Sequence, residues 1–441
     1  LDMDFGKQGS IAILGIGREG QVAWGYLRER YPEKKLTLIA EEPADPEFTE
    51  RLTENDSLVI APLSEAGLGS FDVLVRSPGI SLYRKSIQQA IKNNVKIVTP
   101  SSLWFADHPK EKTICVTGTK GKSTTSALLA HMLRACGFHV RLAGNIGLPL
   151  LACEGRAVDW WVVELSSYQL ADLQAVPDIS VILNLSTEHL DWHGSVERYH
   201  QDKLRLVSLA ADNPVVANAG DPVLKAALGG RKNVVWFNSG SGIQATANGL
   251  REGGNELRAI IPEGLPGVHN LSNLAAALSA LRLTGADLQP ALKSLRAFSG
   301  LAHRLQTLGK QDDRQFVDDS ISSTPFATVA ALEAFSGREV TLIVGGLDRG
   351  LDWTPYMSSF RGLLPCAVIG IPDNGPRIVR QMKGLGLAPL NGLHESANLS
   401  DAVELAKGLT PRGGIVLLSP GAPSFPQFRD YRDRGRKFAQ L

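Results

Sequence analysis

The stretch that most constrains this chain is Thr113-Ile114-Cys115-Val116-Thr117-Gly118-Thr119-Lys120-Gly121-Lys122-Ser123-Thr124-Thr125. Thr113 to Val116 is a short apolar, β-branched run and reads as a buried strand. Gly118 and Gly121 let the backbone turn sharply where a side chain would obstruct a ligand. From Ser123 to Cys136 the apolar residues Leu128, Leu129, Met132 and Leu133 recur at helical spacing. Strand, glycine-rich turn and helix N-terminus together make an anion site, because free amides point inward and the helix dipole favours phosphate. Lys122 adds a point charge for outer phosphates, and Ser123 or Thr124 can offer a hydroxyl to Mg²⁺. The stretch is not a literal Walker A, since Val116 stands where that motif has its first glycine. A plain turn with an exposed lysine is the simpler alternative. The order of strand, glycines, lysine, hydroxyls and helix favours phosphate.

Length and composition narrow the class. A chain of 441 residues suggests about three domains of ordinary size. Its net charge of +1 argues against a general nucleic-acid role. Cys115, Cys136, Cys153 and Cys366 are scattered without CxxC spacing. Neither a disulfide framework nor a zinc site is expected, and a reducing cytoplasm fits. No apolar run reaches the roughly 18 residues of a membrane helix. The opening Leu1-Asp2-Met3-Asp4-Phe5-Gly6-Lys7 is too charged for a signal peptide. A monomer is expected.

The first hundred residues alternate strands and helices in a parallel α/β layout, with strands near 10–15, 35–40, 58–61, 73–75 and 95–98. The first strand runs into Gly15-Ile16-Gly17-Arg18-Glu19-Gly20, a GxGxxG opening a helix, and Glu41 and Glu42 follow the second. Taken alone that spacing reads as dinucleotide binding; more generally it places a pyrophosphate on the helix. Ser77-Pro78-Gly79 ends another strand, either as a plain turn or as a ligand-facing one. The polar, Pro-interrupted segment 107–112 sets the first domain boundary. In the middle domain polar groups follow the strands: Asn145 in Gly-Asn-Ile-Gly, Glu164 before Leu165-Ser166-Ser167, then Asn184, Glu188, His189 and Asp191. Carboxylates and an imidazole beside a phosphate loop suit a Mg²⁺–nucleotide site. By composition alone Lys203 reads as a solvated helix face, and Asn270 and Asn273 as helix caps or ligands. The apolar helix 271–283 ends before Phe298-Ser299-Gly300, the second boundary. The last domain again reads as doubly wound α/β. It offers Asp318-Asp319-Ser320, Gly345-Gly346-Leu347-Asp348-Arg349 and Ser419-Pro420-Gly421-Ala422-Pro423-Ser424-Phe425 at strand ends, with Arg349 a surface residue or a carboxylate clamp.

The layout suits phosphate transfer to a carboxylate, followed by amine attack on the acyl phosphate. ATP is expected between the second and third domains, and a phosphate-bearing substrate on the first. Here the chain resembles the Mur ligases, the ATP-dependent amide-forming enzymes of peptidoglycan precursor synthesis, over essentially its whole length. The resemblance rests on Thr117–Thr124, Ser77-Pro78-Gly79-Ile80, Gly144-Asn145-Ile146-Gly147, Glu164-Leu165-Ser166-Ser167, Glu188-His189-Leu190-Asp191, Lys203, His269-Asn270, His303-Arg304, Asp319-Ser320 and Leu418-Ser419-Pro420. It is strongest to the MurD-like members, which add glutamate to UDP-N-acetylmuramoyl-L-alanine.

The resemblance implies three α/β domains: a Rossmann-like domain for the UDP substrate (1–108), a central P-loop ATPase-like domain (109–298) and a Rossmann-like domain for glutamate (299–441). It implies ATP and Mg²⁺ as cofactors, and Lys122, Glu164, His189 and Lys203 as the catalytic set. Gly118, Thr119, Lys120, Gly121, Lys122, Ser123, Thr124, Asn270, Asn273 and Arg304 would meet ATP. Asp319 would orient the ribose or the link between domains. Ser123, Glu164, His189 and Lys203, the last as a carbamate, would hold metal. Gly17, Arg18, Glu41, Ser77, Pro78, Gly79 and Asn145 would serve the UDP substrate, and Ser323, Thr324, Arg349, Ser424, Phe425 and Tyr431 the glutamate.

Three departures stand out. Lys120 replaces a common Asn. Ile321-Ser322-Ser323 replaces a common Lys-x-Thr, which removes a cation near the glutamate. The last loop carries Gly421 and Pro423. With Ser102–Ala106 and His189–Gly194, these look like a divergent branch that adds L-glutamate. The rivals are ordinary D-glutamate addition, an NAD-linked oxidoreductase resting on GxGxxG, and a nucleotide-sensing module without catalysis.

Overall fold

The computed structural model describes residues 5, 9–153, 158–247, 249–257, 265 and 267–441. Apart from Phe5, the segment 1–7, expected not to be a signal peptide, lies outside them. The chain forms two compact units, residues 1–259 with 272–294, and residues 260–271 with 295–441.

The first unit holds two parallel sheets. In the N-terminal sheet the strands run Asp56–Ile60, Leu36–Ala40, Ile11–Leu14, Val73–Arg76 and Lys96–Val98 across the layer. Ile11–Leu14 and Val73–Arg76 are buried on both faces, as strands covered by helices must be. They are neighbours, so Gly15–Gly17 and Ser77–Gly79 emerge side by side at their carboxyl ends, where the strand order reverses. The six strands of the central sheet run Val234–Phe237, Val215–Asn218, Ile179–Ile182, Thr113–Thr117, Trp160–Glu164 and Val140–Gly144. Thr113–Thr117 is buried throughout, and its register pairs Val116 with Glu164 and Thr117 with Ile182. The glycine-rich loop therefore emerges between the ends of strands Trp160–Glu164 and Ile179–Ile182.

The sheet of the second unit runs Gln306–Gln311, Arg314–Asp318, Ile415–Leu418, Val340–Val344, Ala367–Gly370 and Leu393–Glu395. The three adjacent strands ending at Asp318, Leu418 and Val344 bring their following loops together. Two parallel sheets and a third that is parallel except for one edge strand match the expected three-part α/β architecture, spread over two compact units.

Some elements differ from the sequence reading. Gln306–Gln311 is an antiparallel edge strand, although its sequence is polar. Asp312 and Asp313 at φ +49° and +59° turn it back on Arg314–Asp318, and pairing rather than hydrophobicity makes it a strand. A meander of Ile243–Thr246, Gly249–Glu252 and Asn255–Leu257, and the short edge strand Leu393–Glu395, also escape sequence patterns, because each is short and half exposed. Among the described residues no helix is long and apolar enough to cross a membrane.

Candidate active site

The loop after Thr117 is shaped by its glycines. Gly118 sits at φ +153°, and a Cβ there would come 2.9 Å from Leu183 Cβ. Gly121, at φ +84°, begins helix Lys122–Ala135, and a Cβ there would overlap the Asn273 side-chain oxygen. Among the described residues no side-chain cap bonds to the start of this helix, which leaves its first amides without a capping acceptor. Lys122 Nζ donates to Gly118 O (3.0 Å) and Thr119 O (2.9 Å), curling back over the loop. Asn184 clamps the loop from the next strand: its Oδ1 accepts from Lys120 N (2.8 Å) and its Nδ2 donates to Lys120 O (3.1 Å). The Lys120 ammonium pairs with Glu188. Buried Thr119 shares a hydrogen bond with the Tyr199 hydroxyl.

Lys203 is not a solvated helix face. It lies on helix Val196–Leu209 with 1% of its surface exposed and donates to Gly118 O at 2.8 Å. Burial, reinforced by the Lys122 charge, holds its pKa well below the usual lysine range. Glu164 is 1% exposed. Its Oε1 accepts from Asn145 Nδ2 (2.7 Å), and its buried Oε2 has no hydrogen-bond partner among the described residues. An orphaned carboxylate oxygen beside a phosphate loop fits a cation ligand. Asn145, expected on the UDP substrate, therefore faces the Glu164 carboxylate. His189 takes φ +55° ahead of the short helix Leu190–His193, its ring 5.0 Å from that of Tyr168, and burial lowers its pKa. Among the described residues no group of three or more His, Cys, Asp or Glu converges as a metal site, so a metal here would draw on Ser123, water and a modified Lys203 as well.

At the N-terminal sheet, Ser77 Oγ donates to Gly15 O (2.7 Å), closing the turn ahead of helix Arg18–Arg30. Gly17 leaves open space where a Cβ would stand, and so does Gly79. Arg18 donates to Gly147 O, and Pro78 O accepts from Trp192 Nε1 (3.1 Å). Glu41 pairs with Arg84 at 2.6 Å on the surface. Buried Arg76, which sequence reasoning passed over, donates to Pro78 O and Ile80 O and pairs with Asp172 at 2.6 Å. Also missed was a buried set: His193 Nδ1 lies 2.6 Å from Asp202 Oδ2, His193 Nε2 lies 3.0 Å from Ser167 Oγ, and the Tyr83 hydroxyl donates to Asp202 Oδ1 at 2.6 Å. Nothing local in the sequence marks the Arg76–Asp172, Tyr83–Asp202 and His193–Ser167 contacts, whose partners are far apart along the chain. Asn184 was already marked in the sequence by its place just after a buried strand.

In the second unit Asp319 is buried. It accepts from Ser322 Oγ (2.5 Å), Ser419 Oγ (2.7 Å) and Leu305 N (3.2 Å), while burial pushes its pKa up to about 6. Its oxygens are thus engaged internally, one of them by the segment that follows Arg304. Asn270 is buried, and its amide donates to Gly267 O. Thr324 Oγ caps helix Pro325–Ala334, Ser323 and Arg349 are exposed, Ser424 is buried and Phe425 is exposed. Tyr431 opens helix Tyr431–Gln440, and its carbonyl accepts from Ser320 Oγ at 2.9 Å. Gly421 takes φ +62°, and a Cβ there would overlap the buried Trp353 ring.

Residues 116–281 match the family model of the Mur ligase middle domain, and residues 9–99 that of the MurD-like N-terminal domain. A protein of Xanthomonas oryzae pv. oryzae named UDP-N-acetylmuramoyl-L-alanine--L-glutamate ligase is 42% identical, over 98% of this chain and 94% of that one. The chain belongs to the Mur ligase family. A like-named protein of Salinispora tropica is 38% identical to this Mur ligase, over 98% of this chain and 96% of its own. Among solved structures, MurC from Thermotoga maritima superposes with TM-score 0.59 at 21% identity, covering 98% of both chains. MurF from the same organism, solved in complex with ADP, gives TM-score 0.60 at 16% identity, covering 98% of this Mur ligase and 95% of that chain. These two likenesses establish the fold, three-domain Mur ligase architecture included.

Proposed function

We propose that this Mur ligase uses ATP to join glutamate to UDP-N-acetylmuramoyl-L-alanine in peptidoglycan precursor synthesis. The reading is carried by one arrangement: the Gly118–Ser123 loop set beside the orphaned Glu164 oxygen, in a chain similar over nearly its full length to ligases named for that reaction. The alanyl carboxylate attacks the γ-phosphorus, the bond to the bridging oxygen breaks and ADP departs, leaving an acyl phosphate. The glutamate amine then attacks the carbonyl carbon, the carbon–oxygen bond to phosphate breaks, and a proton leaves the nitrogen.

Lys122 and the loop amides from Gly118 to Thr124 hold the phosphates, with Lys122 exchanging its two carbonyl partners for phosphate oxygens. Asn273, against Gly121, lies beside them. Ser123, Glu164, His189 and Lys203 are the metal ligands we assign. Mg²⁺ supplies charge neutralisation for the triphosphate and the developing oxyanion. Lys203, as the free amine, can add carbon dioxide: a nitrogen–carbon bond forms, a proton leaves the nitrogen, and a neutral amine becomes an anionic carbamate ligand. Asn145 orients Glu164. Gly17, Arg18, Glu41, Ser77, Pro78 and Gly79 are assigned to the UDP substrate. Asn270 and Arg304 are assigned to ATP on the resemblance alone, and Asp319 to tying the Arg304 segment to the strand-end loops. The domain limits 1–108, 109–298 and 299–441, a monomeric state and a cytoplasmic setting, where nucleotide-linked substrates are made, belong to the same proposal.

We assign L-glutamate as the acceptor. The names of its relatives specify it, and the loops at Ile321 and Gly421 depart from the common pattern in the same unit. Phosphate release with ATP, Mg²⁺ and the UDP substrate, with L- and D-glutamate in parallel, tests both levels. Release with L alone is expected. Release with D alone refutes the stereochemical assignment, and release with neither refutes the acceptor.

A further inference from the structure

The strand-end loops of the second unit are joined by one buried side chain. Arg434, on helix Tyr431–Gln440, has 0% of its surface exposed. Its Nε donates to Ser320 Oγ (3.0 Å), its Nη2 to Ser320 O (2.8 Å) and Ala422 O (3.0 Å), and its Nη1 to Gly345 O (3.4 Å). Those acceptors lie just past three different strands, Arg314–Asp318, Val340–Val344 and Ile415–Leu418. The approach is tight: a Cβ on Gly346 would come 2.9 Å from Arg434 Nη1, and one on Gly435 would overlap the His303–Asp318 pair. That pair, His303 Nδ1 to Asp318 Oδ2 at 2.7 Å, sits beside the guanidinium, while Asp318 Oδ1 accepts from Ser320 N at 2.9 Å. Burial brings the arginine down to about 10, and the Asp318 charge opposes that shift.

We propose that Arg434 is the positioning residue of the acceptor pocket, one planar cation that sets the spacing of the three loops carrying the glutamate contacts. The inference rests on the glutamate reading above. Ser323, Thr324, Arg349, Ser424, Phe425 and Tyr431 all stand within four residues of Arg434 or of one of its acceptors. A guanidinium presents donors in a fixed fork and can meet carbonyls from several directions at once. An ammonium on a flexible stem cannot reproduce that spacing. A purely structural role would make the whole enzyme less stable and lower every activity together. A positioning role affects the amine-dependent half of the reaction and leaves acyl-phosphate formation alone.

The experiment compares wild type, Arg434→Lys and Arg434→Met in two assays. One traps the acyl phosphate with hydroxylamine, using ATP and UDP substrate without glutamate. The other follows glutamate-dependent phosphate release. In Arg434→Lys the KM for glutamate is expected to rise about tenfold or more, with hydroxamate formation and the KM values for ATP and UDP substrate within about twofold of wild type. The preference between L- and D-glutamate should narrow, and Arg434→Met should show the larger change in KM. Parallel loss of hydroxamate and ligation in both variants, or an unchanged KM for glutamate in Arg434→Lys, overturns the proposal. Failure of the parent reading shows separately, as a wild-type enzyme that gives no phosphate with glutamate of either hand.

Discussion

The glycine-rich loop of the first unit, which we assign to phosphate, and the loops of the second, which we assign to the acceptor, are both strand-end constructions, built by opposite means. Residues 117–124 are contiguous and take their shape from glycine torsions and the start of a helix, with Asn184 and Lys203 gripping the backbone from outside. The acceptor loops come from three distant stretches, and a buried guanidinium sets their spacing. A loop that grips triphosphate needs convergent amides, which local sequence can supply. A pocket that chooses among amino acids needs side chains held apart at fixed distances, which requires a long-range brace.

The sharpest way to break the comparison is at the loop itself. Lys122→Ala should lower phosphate release by about a thousandfold while circular dichroism stays unchanged. Near-normal turnover would show that the loop holds no phosphate. Glu164→Gln should lower activity by about a hundredfold and raise the Mg²⁺ concentration needed for half-maximal rate. An unchanged Mg²⁺ requirement would remove the orphaned oxygen from the metal site. Gly421→Ala meets both the positive φ and the Trp353 ring, so it should destabilise the protein by about 1–3 kcal/mol in urea titration and weaken glutamate use. Wild-type stability in that variant would mean that Trp353 does not shape the last loop.

A smaller effect should follow pH. Asp319 is pushed up to about 6 in the folded protein from its ordinary 3.8. The native state therefore holds the extra proton, so this stabilising contribution is complete below 3.8 and is lost as pH rises through about 6. Unfolding free energies of wild type and Asp319→Asn from urea titration should diverge across that window by up to about 3 kcal/mol. Parallel curves would mean that Asp319 ionises freely. The smallest change is expected of Lys120→Asn, where a half-exposed pair with Glu188 is lost. KM for ATP should shift by less than about threefold, and a larger shift would make Lys120 a phosphate ligand in its own right.

Much of the fold could be read in the chain, because buried parallel strands are near-continuous apolar runs and their turns carry glycine. The antiparallel edge Gln306–Gln311 could not, since its strand character comes from its partner. In the site, the loop, Glu164 and His189 were legible as polar groups after buried strands. Lys203 was legible only through family likeness, because a lysine on a polar helix looks solvated until the tertiary packing closes over it.

The sequence by itself determined the glycine-rich loop, the alternation of strand and helix, and the family, because those rest on torsions, periodicity and motif order within short stretches. Only the tertiary structure decided that Lys203 is buried against Gly118, that one Glu164 oxygen has no partner among the described residues, that Asn145 serves that carboxylate, and that Arg434 joins three loops. Each of those depends on desolvation or on hydrogen bonds between residues far apart along the chain, and neither leaves a local mark in a sequence.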